Sequence, residues 1–216
     1  MVATYDFEMS MDDWKPRLRI EAAGSPILRR TAQAVAVEEI PTARVQQLID
    51  MMIATLDGIG VGLAAPQVGA SVRIVVIGDP PELQASVPVE LLREQERVPI
   101  ETHVLINPIL TWDGDELAEY FEGCLSVDGY RAIVPRRRRL RVRALDRHAQ
   151  MFEREASGWY ARILQHEIDH LDGRLYVDSM LARTLVSAAS YTQQWSKISV
   201  AETKRVLGAE ASPSLQ

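Results

Sequence analysis

The spacing of apolar residues along the chain predicts two long helices. Between residues 42 and 56, apolar side chains recur three or four positions apart, which places them on one face of a helix. Thr42 is suited to cap the N-terminus of this helix, and Gly58 follows its C-terminal end. Residues 157–171 carry a second helical pattern, with apolar residues before and after a polar pentapeptide, which indicates a largely buried helix.

Shorter apolar runs predict strands. Residues 71–78 form a continuous run of this kind, and residues 136–145 alternate between apolar and polar side chains. Residues 104–108 predict another strand, which we expect to stop at Pro108 because proline cannot donate a hydrogen bond to a neighbouring strand.

Two other segments have weaker patterns. Residues 79–99 are rich in proline and glutamate and predict a surface loop or insertion. Residues 187–207 have few strong apolar positions, so we expect a helix that projects from the body of the protein.

Together these elements predict an α+β fold, with mixed or antiparallel β-sheets packed around a central helix that carries an H-E-x-x-H pattern. A length of 216 residues is enough for one domain with a substantial core. We expect an N-terminal extension over residues 1–18, the main domain over residues 19–185, and a C-terminal helix and tail over residues 186–216.

Composition narrows the possible functions. The net charge of −6 argues against a general nucleic-acid binder. The predicted strand over residues 136–145 nevertheless places four arginines on one face: Arg137, Arg139, Arg141 and Arg143. We interpret this face as a solvated strand surface, and the alternative is a patch that contacts ribosomal RNA.

The sequence also bears on location and redox chemistry. No stretch is apolar enough to span a bilayer, so we expect no membrane partner. The acidic N-terminus fits neither a secretory signal nor a transit peptide, and we expect a cytoplasmic protein. The single cysteine, Cys124, excludes an intramolecular disulfide.

The pentapeptide His166-Glu167-Ile168-Asp169-His170 carries the strongest chemical signal. On a helix, its two imidazoles lie on neighbouring turns of one face and can bind a single metal ion, while Glu167 can transfer protons. The pattern also arises by chance in amphipathic helices, where both histidines are ordinary half-buried residues. Only four histidines occur in the chain, which favours the functional interpretation.

A catalytic metal site of this type needs three protein ligands and one open position. Downstream of His170 the chain offers no histidine, and only the carboxylates of Asp172, Asp178 and Glu202 remain. The alternative is Cys124, which would give a Cys-His-His set suited to iron(II), zinc, nickel or cobalt.

Three segments resemble, in order, the signature motifs of peptide deformylases: residues 60–67 (GVGLAAPQ), 122–126 (EGCLS) and 166–170 (HEIDH). Each motif alone is modestly specific, whereas three in this order are highly specific. The resemblance extends over residues 24–182. Residues 157–162 (SGWYAR) look like the variant in organellar-type deformylases and their bacterial relatives, which bears on the shape of the substrate side-chain pocket.

The resemblance implies a metal-dependent hydrolase that removes the formyl group from the N-terminal formyl-methionine of new polypeptides and releases formate. The implied metal ligands are Cys124, His166 and His170. They would hold one divalent ion, typically iron(II), with zinc, nickel or cobalt as possible substitutes. Glu167 would transfer the proton, while the Gln67 side chain and the Leu125 N–H would stabilise the oxyanion.

Further implied residues would bind the substrate: Gly60, Val61, Gly62, Gly123, Arg131, Trp159 and Ile163. The main chain of residues 60–62 would pair with the peptide as an added strand. The implied partners are N-formyl-methionyl peptides, and the ribosome has weaker support. We expect a monomer or a homodimer.

Two other functions remain open. A zincin-type metallopeptidase would use the same helix and the same glutamate, with a glutamate or histidine as its usual third ligand. A non-catalytic metal-binding or ribosome-associated protein would leave Glu167 dispensable.

Overall fold

The computed structural model describes residues 17–85 and 87–209. Most of the expected N-terminal extension, residues 1–16, lies outside the described residues, as does the end of the tail, residues 210–216. The helices are α1 (Ala43–Leu56), α2 (Pro81–Gln84), α3 (Val89–Glu94), α4 (Gly158–Leu171), α5 (Ala188–Ser190) and α6 (Val200–Val206). The strands are β1 (Gly62–Ala64), β2 (Ile74–Asp79), β3 (Ile100–Trp112), β4 (Leu117–Cys124), β5 (Val127–Arg137), β6 (Arg139–Leu145), β7 (Met151–Ser157) and β8 (Val186–Ser187).

The strands form two antiparallel sheets, and the mixture of helices with antiparallel sheets agrees with the predicted α+β class. The larger sheet has the order β1-β2-β3-β6-β7, and the smaller has the order β4-β5-β8. In the larger sheet β1 is an edge strand, and in the smaller sheet β4 is one. Each of these strands has one side that no neighbouring strand of its own sheet pairs.

Strand β2 explains why its sequence is a continuous apolar run. Val75 and Ile77 belong to one apolar cluster together with residues of α4, whereas Ile74 and Val76 belong to another together with residues of α1. Because helices cover both faces of this strand, both sets of alternating side chains are buried.

Helix α1 begins and ends as predicted, and α4 begins directly after Ser157. Eleven of the fourteen residues of α4 are buried. This helix contacts strands of both sheets, including β1, β2 and β5. Among the described residues, no helix is both long and apolar enough to cross a membrane.

The expectation that a strand stops at Pro108 is wrong, because β3 continues through it to Trp112. The register with β6 shifts between Ile106 and Ile109, and Asn107 lies between them with φ +52°. A bulge leaves a position without a ladder hydrogen bond, so the missing N–H of proline costs little there.

The predicted strand over residues 136–145 is two strands that belong to different sheets. Strand β5 ends at Arg137 and β6 begins at Arg139, so Arg137 does not share a strand with the other arginines. Arg139, Arg141 and Arg143 are exposed on alternate positions of β6, as expected of a solvated face.

Both weakly patterned segments differ from the expectation. Residues 79–99 contain α2 and α3, and Asp79 is fully buried, so this segment is more than a surface loop. Residues 187–207 form several short helical turns instead of one projecting helix. These turns pack on the body: the Tyr191 ring contacts Phe121, and Lys204 bonds Glu119 on β4.

Asn107 joins the bulge in β3 to the N-terminal part of the chain. Its side chain accepts a hydrogen bond from the Val35 N–H and donates one to the Val35 carbonyl, at 2.9 and 2.8 Å. Asn107→Ala should lower the free energy of unfolding by roughly 2–4 kcal/mol, from two lost hydrogen bonds and a strained positive φ. Urea unfolding measures the loss.

Asn107→Gly is the matched control, because it loses the same hydrogen bonds and tolerates the positive φ. It should be destabilised less than Asn107→Ala. Equal losses for both variants would show that backbone strain contributes nothing at this bulge.

Candidate metal centre

Helix α4 carries both histidines and the glutamate between them. The rings of His166 and His170 lie on neighbouring turns, with centroids 5.1 Å apart. Ser157 precedes the helix in an extended conformation, and Gly158 begins it with φ +53°. The i,i+4 spacing therefore places both imidazoles on one face, as the sequence predicts.

Cys124 reaches this face from the end of β4. Its Sγ lies 3.3 Å from Nε2 of His170, although 46 positions separate the two residues. One ligand atom from each of Cys124, His166 and His170 lies within 4.8 Å of the other two. Sulfur and nitrogen ligands of one tetrahedral ion lie roughly 3–4 Å apart, so this donor set fits a divalent metal.

The carboxylate of Glu122 forms a hydrogen bond with the ring of His166. Its Oε2 accepts a hydrogen bond from Nδ1 of His166 at 2.9 Å, an assignment that follows from the bonding network. Nε2 of His166 is then left as the ligand atom. A carboxylate bonded to the second ring nitrogen is the usual way in which proteins fix the tautomer and ring plane of a metal-binding histidine.

Two arginines balance the charge of Glu122. Arg136 donates to both of its oxygens at 2.9 and 3.0 Å, and Arg162 donates to Oε1 at 2.6 Å. Burial alone would raise the pKa of Glu122. The charge of Arg136 and the hydrogen bond from His166 instead hold its pKa well below the usual range. Glu122 therefore stays a carboxylate in the interior.

The two histidines have different electrostatic surroundings. Burial opposes protonation of His166, but its hydrogen bonds to Cys124 and Glu122 raise its pKa above the ordinary value. Burial and the charge of His166 lower the pKa of His170, which favours the neutral imidazole that binds metals. Among the described residues, Nδ1 of His170 has no hydrogen-bond partner.

Glu167 is almost completely buried beside His166. Its Oε2 has no hydrogen-bond partner within residues 17–85 and 87–209. Burial raises the pKa of its carboxyl to about 7, against the opposing charge of His166. A carboxyl group with such a pKa can both accept and donate a proton near neutral pH.

The backbone of β1 lies directly against this carboxylate. A Cβ atom at Gly62 would lie 2.3 Å from Oε1 and 2.6 Å from Cδ of Glu167. Only glycine leaves room for the carboxylate at this position.

Gln67 also points its side chain toward the site. It lies on a 3-10 turn (Ala65–Val68), and its Oε1 accepts a hydrogen bond from the Ala64 N–H at 2.9 Å. Its amide nitrogen is then directed at Oγ of Ser126 and Sγ of Cys124, at 3.3 and 3.6 Å. A hydrogen-bond donor therefore lies next to Cys124.

A cavity of about 480 Å³ opens onto Cys124, His166 and Glu167. Most of the residues predicted to bind or position the substrate line this cavity: Gly60, Val61, Gly123, Leu125, Arg131, Trp159 and Ile163. Gly62 and Gln67 are not among the lining residues. Leu125 lies in the two-residue connection between β4 and β5, and its side chain packs against the cluster around α1.

The sequence motifs gave no role to the buried charges of Glu122 and Asp169. Glu122 lies in the EGCLS motif and Asp169 lies in HEIDH, so the motifs contained both without indicating their partners. Asp169 bonds Nη1 of Arg136 at 2.5 Å. Arg136 therefore joins β5 to both motifs, a link that the arginine-rich sequence around it did not reveal.

Comparisons with known proteins show the family to which the chain belongs. The family model described as polypeptide deformylase matches residues 17–185. Peptide deformylase 1A, chloroplastic, from Solanum lycopersicum is 46% identical over 166 residues, which cover 76% of this chain and 60% of the relative. Peptide deformylase 1 from Streptomyces coelicolor is 42% identical, over 89% of this chain and 87% of the relative.

A solved structure is also similar. The class I type b peptide deformylase from Acinetobacter baumannii, with Met-Ala-Ser bound, superposes with a TM-score of 0.68 and 33% identity. The match covers 77% of this chain and 100% of that structure. The chain spans about 60% of the tomato relative and 62% of the Arabidopsis thaliana relative, peptide deformylase 1A, chloroplastic/mitochondrial.

Replacement of Glu122 tests its support of the metal ligands. Glu122→Gln removes one partner of a buried ion-pair network and should cost roughly 3–5 kcal/mol of stability. It should also weaken metal binding by about 10–100-fold, because His166 loses its carboxylate partner. Denaturant unfolding and competition with a metal chelator measure the two effects.

Glu116→Gln is the matched control. Glu116 also bonds an arginine, Arg138, but its side chain is 58% exposed. The control should lose less than about 1 kcal/mol and keep its metal affinity. If Glu122→Gln behaved like this control, Glu122 would not organise the site.

Proposed function

Because the chain belongs to the polypeptide deformylase family, we propose that it is a metal-dependent hydrolase that removes the formyl group from N-formyl-methionyl peptides and releases formate. One observation carries the proposal: a thiol and two imidazoles converge within 4.8 Å, and the buried carboxylate of Glu167 follows His166 in the chain. The two sheets would be arranged around α4 so that this helix presents the reactive groups to the cavity.

Cys124, His166 and His170 would hold the ion. Members of the family depend on a metal, and a Cys-His-His set suits iron(II), zinc, nickel and cobalt. Iron(II) is proposed as the native ion. When bound, the ion acts as a Lewis acid that polarises the formyl oxygen and lowers the pKa of water.

Glu167 transfers the proton. Its carboxylate takes a proton from the attacking water, and water oxygen adds to the formyl carbon. The carboxylic acid then returns the proton to the amine as the C–N bond breaks. A pKa of about 7 suits both steps, because neither protonation state is strongly favoured near neutral pH.

Gln67 and Leu125 stabilise the charge that develops on the formyl oxygen. The amide of Gln67 already donates toward Cys124, and the Leu125 N–H comes from the connection that follows Cys124. Loss of one such donor typically costs about 3 kcal/mol of transition-state stabilisation.

The peptide binds between two sheet edges. The open edge of β1, with Gly60 and Val61 just before it, pairs with the peptide main chain, and Gly123 on β4 lies on the other side. Ile163 and Trp159 line the pocket for the methionine side chain, while Arg131 contributes to the cavity wall.

A zincin-type metallopeptidase has less support. The three carboxylates that could have replaced Cys124 as ligands bond arginines instead: Asp172 with Arg73, Asp178 with Arg29, and Glu202 with Arg205.

Other aspects of function remain predictions from the sequence. These are a monomeric or homodimeric state, contact with the ribosome, a main domain over residues 19–185 with a C-terminal segment after it, and a cytoplasmic location. The two plant relatives are named as organellar proteins, and this bears on location for them alone.

The proposed mechanism separates the roles of Glu167 and Cys124. Glu167→Gln should keep its metal but release formate from formyl-Met-Ala-Ser about 10²–10⁴-fold more slowly, because the proton acceptor is lost. Cys124→Ala should lose metal. The measurements are anaerobic metal analysis, which also identifies the native ion, and a formate-release assay.

The competing functions give other results. A zincin would keep its metal in Cys124→Ala, and a non-catalytic protein would release no formate even as wild type. Near-normal turnover by Glu167→Gln would contradict the assignment of the proton carrier.

Gly62→Ala tests the close approach of β1 to Glu167. The added Cβ would lie 2.3 Å from Oε1, so the carboxylate must move. We expect kcat to fall at least about 10²-fold, at unchanged metal content, since general-base catalysis is lost with the geometry.

A double-mutant cycle with Glu167→Gln supplies the control: adding Gly62→Ala to that variant should lower kcat little further. Additive losses would mean that Gly62 acts independently of Glu167.

A further inference from the structure

Two cavities lie side by side at the reaction site, and four residues line both of them. The reaction cavity has a volume of about 480 Å³. A second cavity of about 560 Å³ lies between α3 and the turns that follow α5. The shared residues are Arg97, Phe121, Arg131 and Trp159. Residues that line both cavities stand between them, so they form a partition.

Arg97 and Trp159 make one half of this partition. The guanidinium carbon of Arg97 lies 4.9 Å from the centroid of the Trp159 ring. A planar cation over an aromatic face is favourable, and the guanidinium group restricts the position of the ring. The indole Nε1 is buried and has no hydrogen-bond partner among the described residues, so no other polar contact of the side chain orients the ring.

Arg97 is itself held by a buried carboxylate. Its Nε and Nη2 donate to the two oxygens of Asp79 at 2.7 and 2.8 Å. The side chains of Arg97 and Asp79 are 10% and 0% exposed. Such a bidentate pair fixes both the position and the plane of the guanidinium group.

The same ion pair closes the segment between β2 and β3. Asp79 ends β2, and α2 and α3 lie between it and Arg97. The segment is also tied to the start of α4, since the Trp159 N–H donates to the Gln95 carbonyl at 2.8 Å. Both ends of the Arg97–Trp159 contact are therefore anchored.

We propose that Arg97, clamped by Asp79, is a positioning residue that holds Trp159 as a partition between the two cavities and so limits the size of the side chain accepted at the N-terminal residue of the substrate. The proposal deepens the proposed deformylase function and rests on it. It assigns a role to the segment between β2 and β3: this segment builds part of the substrate pocket. Opening the partition joins the reaction cavity to the second cavity and admits side chains larger than methionine.

The experiment compares three substrates that differ in their first residue: formyl-Met-Ala-Ser, formyl-Phe-Ala-Ser and formyl-(2-naphthyl)alanyl-Ala-Ser. Formate release gives kcat and KM with the full-length, metal-loaded protein. The principal variant is Asp79→Asn/Arg97→Ala, because the single change at Arg97 would leave a buried carboxylate unpaired. Trp159→Ala opens the partition without touching that ion pair.

Both variants should raise the ratio of kcat/KM for the naphthylalanyl substrate to that for the methionyl substrate by at least about 10-fold, the lower end of what pocket shape contributes to selectivity. For the methionyl substrate, the loss in kcat/KM should come mainly from a higher KM, because the change lies in the pocket that binds the side chain and leaves Cys124, His166 and Glu167 untouched. Arg97→Lys keeps the charge without the planar fork, so it should give a smaller rise.

Arg147→Ala is the matched control. It breaks another arginine–aspartate pair, with Asp50 at 2.8 Å, and lines neither cavity. Its ratio of kcat/KM for the naphthylalanyl substrate to that for the methionyl substrate should equal the wild-type ratio. The proposal is overturned if both partition variants are active on the methionyl substrate but keep the wild-type ratio of kcat/KM for the naphthylalanyl substrate to that for the methionyl substrate. If the wild type releases no formate from any substrate, the proposed function itself is wrong.

Discussion

The network around the buried carboxylate of Glu122 is the interaction on which the candidate metal centre depends. Its two oxygens bond Arg136 from β5 and both Arg162 and His166 from α4, while Glu122 itself lies on β4. A buried charge is costly without its partners, so these contacts favour the packing in which α4 lies against β4 and β5. That packing determines where His166 stands relative to Cys124.

Two further close contacts enclose the reactive groups. The backbone of Gly62 leaves just enough space for the carboxylate of Glu167. Burial of this carboxyl group raises its pKa to about 7. On the other side, the ion pair of Asp79 and Arg97 supports the ring of Trp159. In each case a residue distant in sequence restricts a side chain of α4. Helix α4 carries His166, Glu167 and His170, and the elements around it restrict where their side chains lie.

Much of the fold was predictable where the signal is local. The period of apolar residues located α1 and α4 closely, and the continuous apolar run over residues 71–78 predicted the strand that is observed as β2. Two of the failures share one cause. The strand through Pro108 continues because a bulge relieves the need for an N–H, and Arg137 belongs to a different sheet from Arg139 because the chain changes sheets at Arg138. Both features depend on strand pairing, which the pattern of a single segment does not contain.

The sequence by itself determined that two imidazoles and a carboxylate share one helix, because the i,i+4 relation follows from the backbone of a single element. The order of three short motifs also identified the family. Tertiary structure alone decided how closely Cys124 approaches the two histidines, which carboxylate bonds His166, and how Arg97 comes to lie over Trp159. These contacts join residues tens of positions apart. Their geometry depends on how helix α4 packs against two sheets, which no local spacing specifies.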